Sequence, residues 1–169
     1  FAIHFLIAHR VLSTGVRTFE AAAFLKGKGA DTVAVKRLFS NSIESNRKRS
    51  EIISAAHIYR GCAIACTAPG TENARLLSAQ AADELLEVSG VKASFVIFDS
   101  GNDSVNISAR SYGDLNVQII MEYLGGGGHR TMAAAQLTGV NMEEAKSKLC
   151  EAIDAKYPRT DDEEPTPIS

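Results

Sequence analysis

The chain has 169 residues, 45% of them hydrophobic and 22% charged, with a net charge of −2. Those values suit one medium domain, or a small domain plus part of another, and they exclude a global field that would draw the molecule to nucleic acid or a membrane surface. Three cysteines (Cys62, Cys66 and Cys150) are too few and too odd in number for a secreted disulfide scaffold, which favours a reducing cytoplasm, and no apolar run reaches bilayer length.

Residues 1–10, from Phe1 to Arg10, are apolar but short, with no initiating Met, basic leader or clear cleavage site. They read as the start of a chain cut from the middle of something longer. Thr18 to Leu25 predicts a capped helix stopped near Gly27 and Gly29. Asp31 caps a second short helix through Val33, Val35, Leu38 and Phe39. Residues 43–56 carry mixed charge and a weak apolar stripe, which predicts a largely exposed helix connecting two lobes.

From residue 58 the texture changes. Ile58 to Ala68 predicts a strand ending at the turn pair Pro69 and Gly70. Thr71 to Val88 predicts a helix, with Leu77, Ala81, Leu85 and Val88 on one face. Ala93 to Phe98 is a nearly continuous apolar run, as in a strand covered on both faces. Beyond a turn at residues 99–103, Val105, Ile107 and Ala109 alternate with Asn106, Ser108 and Arg110, the period of a half-buried strand, and the two runs should form a hairpin. Asn116 caps a helix through Val117, Ile120, Met121 and Leu124. Met132 to Leu137 suits a last strand. Asn141 and Glu144 form a capping box that opens a helix with Ala145, Leu149, Ala152 and Ile153 inward. The acidic, proline-flanked tail from residue 158 onward lacks the apolar area needed to order itself.

Chemistry concentrates at Gly125–Gly128 followed by His129. Glycine costs backbone entropy, so a run of four needs a cause. A helix stop accounts for one or two. The rest suit either a nest of N–H groups for phosphate, with His129 able to donate to an oxygen, or a flexible loop with a surface histidine. Arg110 can grip a phosphate bidentately or remain a solvated strand-end side chain, and Asn106 and Ser108 share its face. Asn41, Ser42 and Asn46 suit either a cleft lining or a helix cap, and Arg17 and Thr18 suit capping. His4, His9 and His57 have no carboxylate constellation around them for a binuclear metal site. Cys62 and Cys66 share one strand face and read as buried structural thiols.

Four segments together resemble the DHHA1 domain of the DHH phosphoesterase superfamily: Ser108 to Ser111, Asn116 to Glu122, Leu124 to His129, and Ala133 to Gln136. Within it, the chain is similar to the membrane-anchored cyclic-di-AMP phosphodiesterases of Gram-positive bacteria. Thr14 to Ala22 and Gly29 to Val33 resemble the end of that family's DHH domain, so the likeness covers about residues 12 to 156.

The resemblance implies an α/β fold. Residues 1–50 would be the helical remnant of the DHH catalytic domain and 51–56 the end of a linker helix. Residues 57–157 would form a mixed-sheet DHHA1 substrate-binding domain with packed helices, and 158–169 a disordered acidic tail. It implies a parent hydrolase that opens cyclic di-AMP to a linear dinucleotide with two Mn²⁺ ions. Substrate contacts would come from Arg110, Gly126, Gly127, Gly128 and His129.

The family's aspartate-rich metal motifs are not matched, and Leu6 stands where the last expected aspartate should fall. The fragment is therefore expected to bind nucleotide without hydrolysing it, with no catalytic residue and no metal of its own. Expected partners are cyclic di-AMP or a short oligonucleotide, the missing N-terminal catalytic region and a second copy in a homodimer. The expected place is cytoplasmic, on a parent anchored to the bacterial plasma membrane. A nanoRNase-like oligonucleotide phosphodiesterase and a nucleic-acid-binding DHHA1 module are the alternatives.

Overall fold

The computed structural model describes residues 15–37, 42–101 and 103–158. They divide into two compact units, parted between Ile43 and Glu44. In the first, α1 spans Val16–Gly27 and α2 spans Thr32–Arg37. The Asp31 carboxylate accepts from the amides of Val33 at 2.8 Å and Ala34 at 3.2 Å, so it caps α2 as its position predicts. Leu38, Phe39 and Asn41 lie outside the described residues, as do His4, His9 and the tail from residue 159.

The second unit contains α3 from Glu44 onward (the helix spans Ile43–Ser54), and then a six-stranded mixed sheet with three more helices. Its elements are β1 (His57–Tyr59), β2 (Cys62–Cys66), α4 (Ala74–Leu85), β3 (Ala93–Gly101), β4 (Ser104–Ser111), α5 (Val117–Tyr123), β5 (Gly127–His129), β6 (Met132–Thr138) and α6 (Met142–Lys156). The strand order is β1-β2-β3-β4-β6-β5, with only β2 and β3 parallel. A parallel pair needs a crossover, and α4 supplies it.

The single strand read over residues 58–68 is in fact a hairpin. Arg60 and Gly61 both take positive φ, 51° and 72°, which is the geometry of a two-residue type I′ turn. Tyr59 Oη and Arg60 Nη1 donate to the two Asp154 oxygens, each at 2.7 Å, and fasten this hairpin to α6. The helix predicted from Thr71 begins later, at Ala74. Thr71 Oγ1 instead closes the preceding turn on the Ala68 carbonyl at 2.6 Å, and Asn73 adopts the left-handed conformation. It also ends earlier, at Leu85, so Val88 is exposed in the following turn.

Each sheet face has its own core. On one, Cys62, Ile64, Phe95, Ile97, Ile107, Ala109, Ala133 and Ala135 meet Val117, Ile120 and Met121 of α5 and Leu149, Ala152 and Ile153 of α6. On the other, Ala63, Ala65 and Val96 meet Leu77, Ala81, Ala82 and Leu85 of α4 and Ile52 of α3. Fully burying one Leu or Ile side chain contributes about 1.5–3 kcal/mol, so these two layers dominate the folding energy. The second core stops at β3. No residue of β4 or β6 joins it, and on that face α4 reaches only as far as β4, so the candidate site lies there, beside α4. Among the described residues no helix is long and apolar enough to cross a membrane.

Candidate functional site

The β4–β6 half of this sheet face forms the floor of a cleft of about 770 Å³, within the range of roughly 300–1,000 Å³ typical of small-molecule sites. Asn106, Ser108 and Arg110 of β4 and Ala134, Gln136 and Thr138 of β6 supply the floor. Arg75 and Ala79 of α4 stand on one side and Gly125–Gly128 on the other. Alternation along β4 explains the arrangement: Val105, Ile107 and Ala109 enter the core, so the polar set must face the opposite way.

Arg110 departs from the solvated face that its alternation suggests. The residue is only 8% exposed. Its Nε donates to Asp83 Oδ1 at 2.8 Å, and its Nη1 donates to Ser108 Oγ at 3.2 Å and to the Ala109 carbonyl at 2.9 Å. These bonds use Nε and Nη1, leave Nη2 outside the set, and anchor the guanidinium as a fixed positive group on the floor. The cause is α4, which brings Asp83 over the end of β4 and turns a nominally polar face into a lined cavity.

The glycine run resolves into separate duties. Gly125, at φ 79°, ends α5, and its amide donates to the Glu122 carbonyl at 3.0 Å. The Gly126 amide donates to the Met121 carbonyl at 2.8 Å. Two of the four N–H groups therefore serve the helix terminus, and a four-amide nest is not what the backbone builds. Gly127 and Gly128 instead begin β5, an edge strand in antiparallel register with Ala134 and Ala133.

At Gly126 and Gly128 the two backbones pass too close for a side chain. A Cβ at Gly126 would meet the Ala134 carbonyl oxygen and lie 2.6 Å from Ala135 Cα, and one at Gly128 would lie 2.5 Å from Ala133 Cα. A Cβ at Gly127 would meet nothing within 4 Å. Gly127 is thus the one glycine of the run whose lack of a side chain serves neither a positive φ nor packing.

His129 ends β5 opposite Met132 and is exposed. It stands beside the cleft and does not line it, whereas Arg110, Gly126, Gly127 and Gly128 all do. Arg130 turns back on the chain, its Nε donating to the Gly113 carbonyl at 2.8 Å. Asn46 is occupied within α3, accepting from Arg49 Nη2 at 3.0 Å.

Sequence reading missed Arg75. It is exposed, lines the cleft, and sits in the first turn of α4, where no acidic residue accompanies it. A cation is disfavoured at a helix N-terminus, so an arginine placed there without an acid was the available signal of an anion nearby. Among the described residues no group of three or more His, Cys, Asp or Glu side chains could hold a metal ion. Burial pushes the Cys62 thiol up to about 12 and also raises those of Cys66 and Cys150.

Comparison with known proteins gives three consistent results. The family model described as the DHHA1 domain matches residues 63–157. The chain is 52% identical over 143 residues to the cyclic-di-AMP phosphodiesterase GdpP of Geobacillus thermodenitrificans, covering 84% of this chain and 22% of that protein. It is 46% identical over 149 residues to the protein of the same name in Bacillus subtilis, covering 86% and 23%. The chain thus spans less than a quarter of the length of these curated relatives. Among solved structures, an exopolyphosphatase-related protein from Bacteroides fragilis superposes with a TM-score of 0.73 at 20% identity, over 86% of this chain and 45% of that one. At that identity the likeness speaks for the fold.

Proposed function

The chain belongs to the DHHA1 domain family, and from that premise we propose that it is the substrate-binding part of a cyclic-di-AMP phosphodiesterase. The parent enzyme hydrolyses one phosphodiester of the ring to give linear pApA. Its reaction depends on manganese, and its membrane anchor and catalytic metal site belong to regions beyond the described residues. The chain by itself binds nucleotide without turnover.

One observation carries this reading. A single cleft, open on one face of the sheet, gathers a buried, anchored arginine (Arg110), an exposed arginine at a helix start (Arg75) and the stretch of β5 whose backbone is bare for want of side chains. Buried and exposed cations beside bare main chain suit phosphate oxygens. The high identity to proteins named cyclic-di-AMP phosphodiesterases supports the choice of nucleotide. His129, exposed one residue past the cleft, serves as a donor that swings to a phosphate at the rim. A second copy of the chain pairing as a homodimer is compatible with this role, and the cytoplasmic side of the membrane is its place.

Titration of cyclic di-AMP against a short single-stranded RNA, at several salt concentrations, tests the proposal. Tighter binding of the cyclic dinucleotide with a shallow salt slope supports it. Preference for RNA with a steep slope favours the nanoRNase-like or nucleic-acid-binding alternative, since polymer binding rests on releasing many counterions. Formation of pApA by this chain alone with Mn²⁺ would contradict the inactive-fragment part of the proposal.

A further inference from the structure

The cleft floor contains one polar side chain that the fold leaves unsatisfied. Asn106 sits in mid-β4, in register with Phe98 of β3 and Gln136 of β6, so an aromatic ring and two amides form a row across three strands. All three line the cleft. Asn106 Oδ1 is buried and has no hydrogen-bond partner. Its neighbours are engaged: Gln136 Nε2 donates to Ser104 Oγ at 3.1 Å, and Ser108 Oγ accepts from Arg110 Nη1. A buried carboxamide oxygen without a donor is costly, and such an atom in a native fold calls for an explanation.

We propose that Asn106 reads the base of the bound nucleotide and selects adenine. This inference rests on the nucleotide reading of the cleft and adds the residue that sets its specificity. A carboxamide offers an acceptor and a donor side by side. Adenine presents the complementary pair, the exocyclic N6 amine as donor and N7 as acceptor, and asparagine pairs with both at once. Guanine and hypoxanthine present O6 and N7, two acceptors, on that edge. Either would leave Oδ1 without its proton donor and set an oxygen against it. Phe98, the cross-strand neighbour, supplies an apolar wall beside the base. Arg75 and the glycine rim remain for the phosphates, so base and phosphate are held by different residues and can be tested separately.

The test is calorimetric titration of the whole chain with cyclic di-AMP, cyclic di-IMP and cyclic di-GMP, for the unchanged protein and for Asn106→Leu. The unchanged protein should bind cyclic di-AMP about tenfold or more tightly than the two 6-oxo ligands, the discrimination expected of one bidentate pair. Asn106→Leu should keep the fold, because it replaces an unsatisfied amide with an apolar group of similar size, and should bring the three affinities to within about threefold of one another. Should the leucine variant not fold, Asn106→Ser, which cannot span both N6 and N7, gives the same readout. A variant that retains the preference overturns the assignment to Asn106, as does an unchanged protein that binds all three equally, and in both cases the cleft still stands as a nucleotide site. Failure of the unchanged protein to bind any of the three removes the nucleotide reading and this inference together.

Discussion

Arg110 Nε and Asp83 Oδ1 lie 2.8 Å apart, tying the end of β4 to α4 beneath the open half of the sheet. The two side chains are 10% and 34% exposed, so the pair is shielded on one side only. Asp83→Ala should cost about 1.5–3 kcal/mol, the range for a hydrogen bond to a charged group, and less than a fully buried pair would lose. The midpoint of urea unfolding measures it. An unchanged midpoint would mean that Arg110 holds its position without Asp83.

The glycine run makes the sharpest contrast between fold and function. Gly126→Ala and Gly128→Ala force a Cβ into the β6 backbone and should each destabilise by about 2 kcal/mol or more, as overpacking does. Gly127→Ala meets open space and should leave stability within about 1 kcal/mol of the original, while its methyl, placed at the cleft, weakens cyclic di-AMP binding. Thermal unfolding with and without ligand separates the two effects. Equal destabilisation at all three positions would contradict this division.

Arg75 is exposed and lines the cleft, so Arg75→Ala should barely touch stability, within about 0.5 kcal/mol. Loss of a charge-assisted contact to phosphate should weaken binding of cyclic di-AMP about tenfold and flatten its salt dependence. Affinity unchanged across salt would remove Arg75 from the site.

Stability should fall at alkaline pH. Burial, then the hydrogen bond to Asp154, pushes Tyr59 up to about 12, and burial pushes Cys62 to about 12. Both groups hold their protons more tightly when folded, so their contribution is fully present below the unfolded values. It is lost as pH rises from about 9 for the thiol and about 10 for the phenol toward 12. Unfolding free energy measured between pH 8 and 11 should decline, and Tyr59→Phe should make the upper part of that decline shallower. A flat profile would contradict the burial of both groups.

The sequence carried its helices and the central hairpin in plain sight, because periodicity and caps are local. Asn141 and Glu144 form both halves of a capping box, at 2.9 Å each. Asn116 accepts from the Gln118 amide at 3.0 Å, and the inward set of α6 is the one its spacing predicts. What stayed hidden was non-local. Gly127–His129 has no side-chain alternation to announce a strand, and only its fit against Ala133 and Ala134 makes it one. The turn at Arg60 and Gly61 was masked by apolar residues on both sides. Burial of Arg110 depended on Asp83, 27 positions away, and Arg75 entered the site because α4 crosses over β3. The candidate site was therefore half legible: the glycines and Arg110 from their motif, the walls and the unsatisfied Asn106 only from packing.

The most direct test of the cleft is a titration of the ¹⁵N-labelled chain with cyclic di-AMP, following every backbone amide by NMR. The amides of residues 106–110 on β4 and of Gly127 and Gly128 on β5 should shift together and saturate with one affinity, with those around Arg75 following. Shifts gathered instead around Arg60, Lys92 and Lys156 at the smaller cavity beside α6, or none at saturating ligand, would contradict the account.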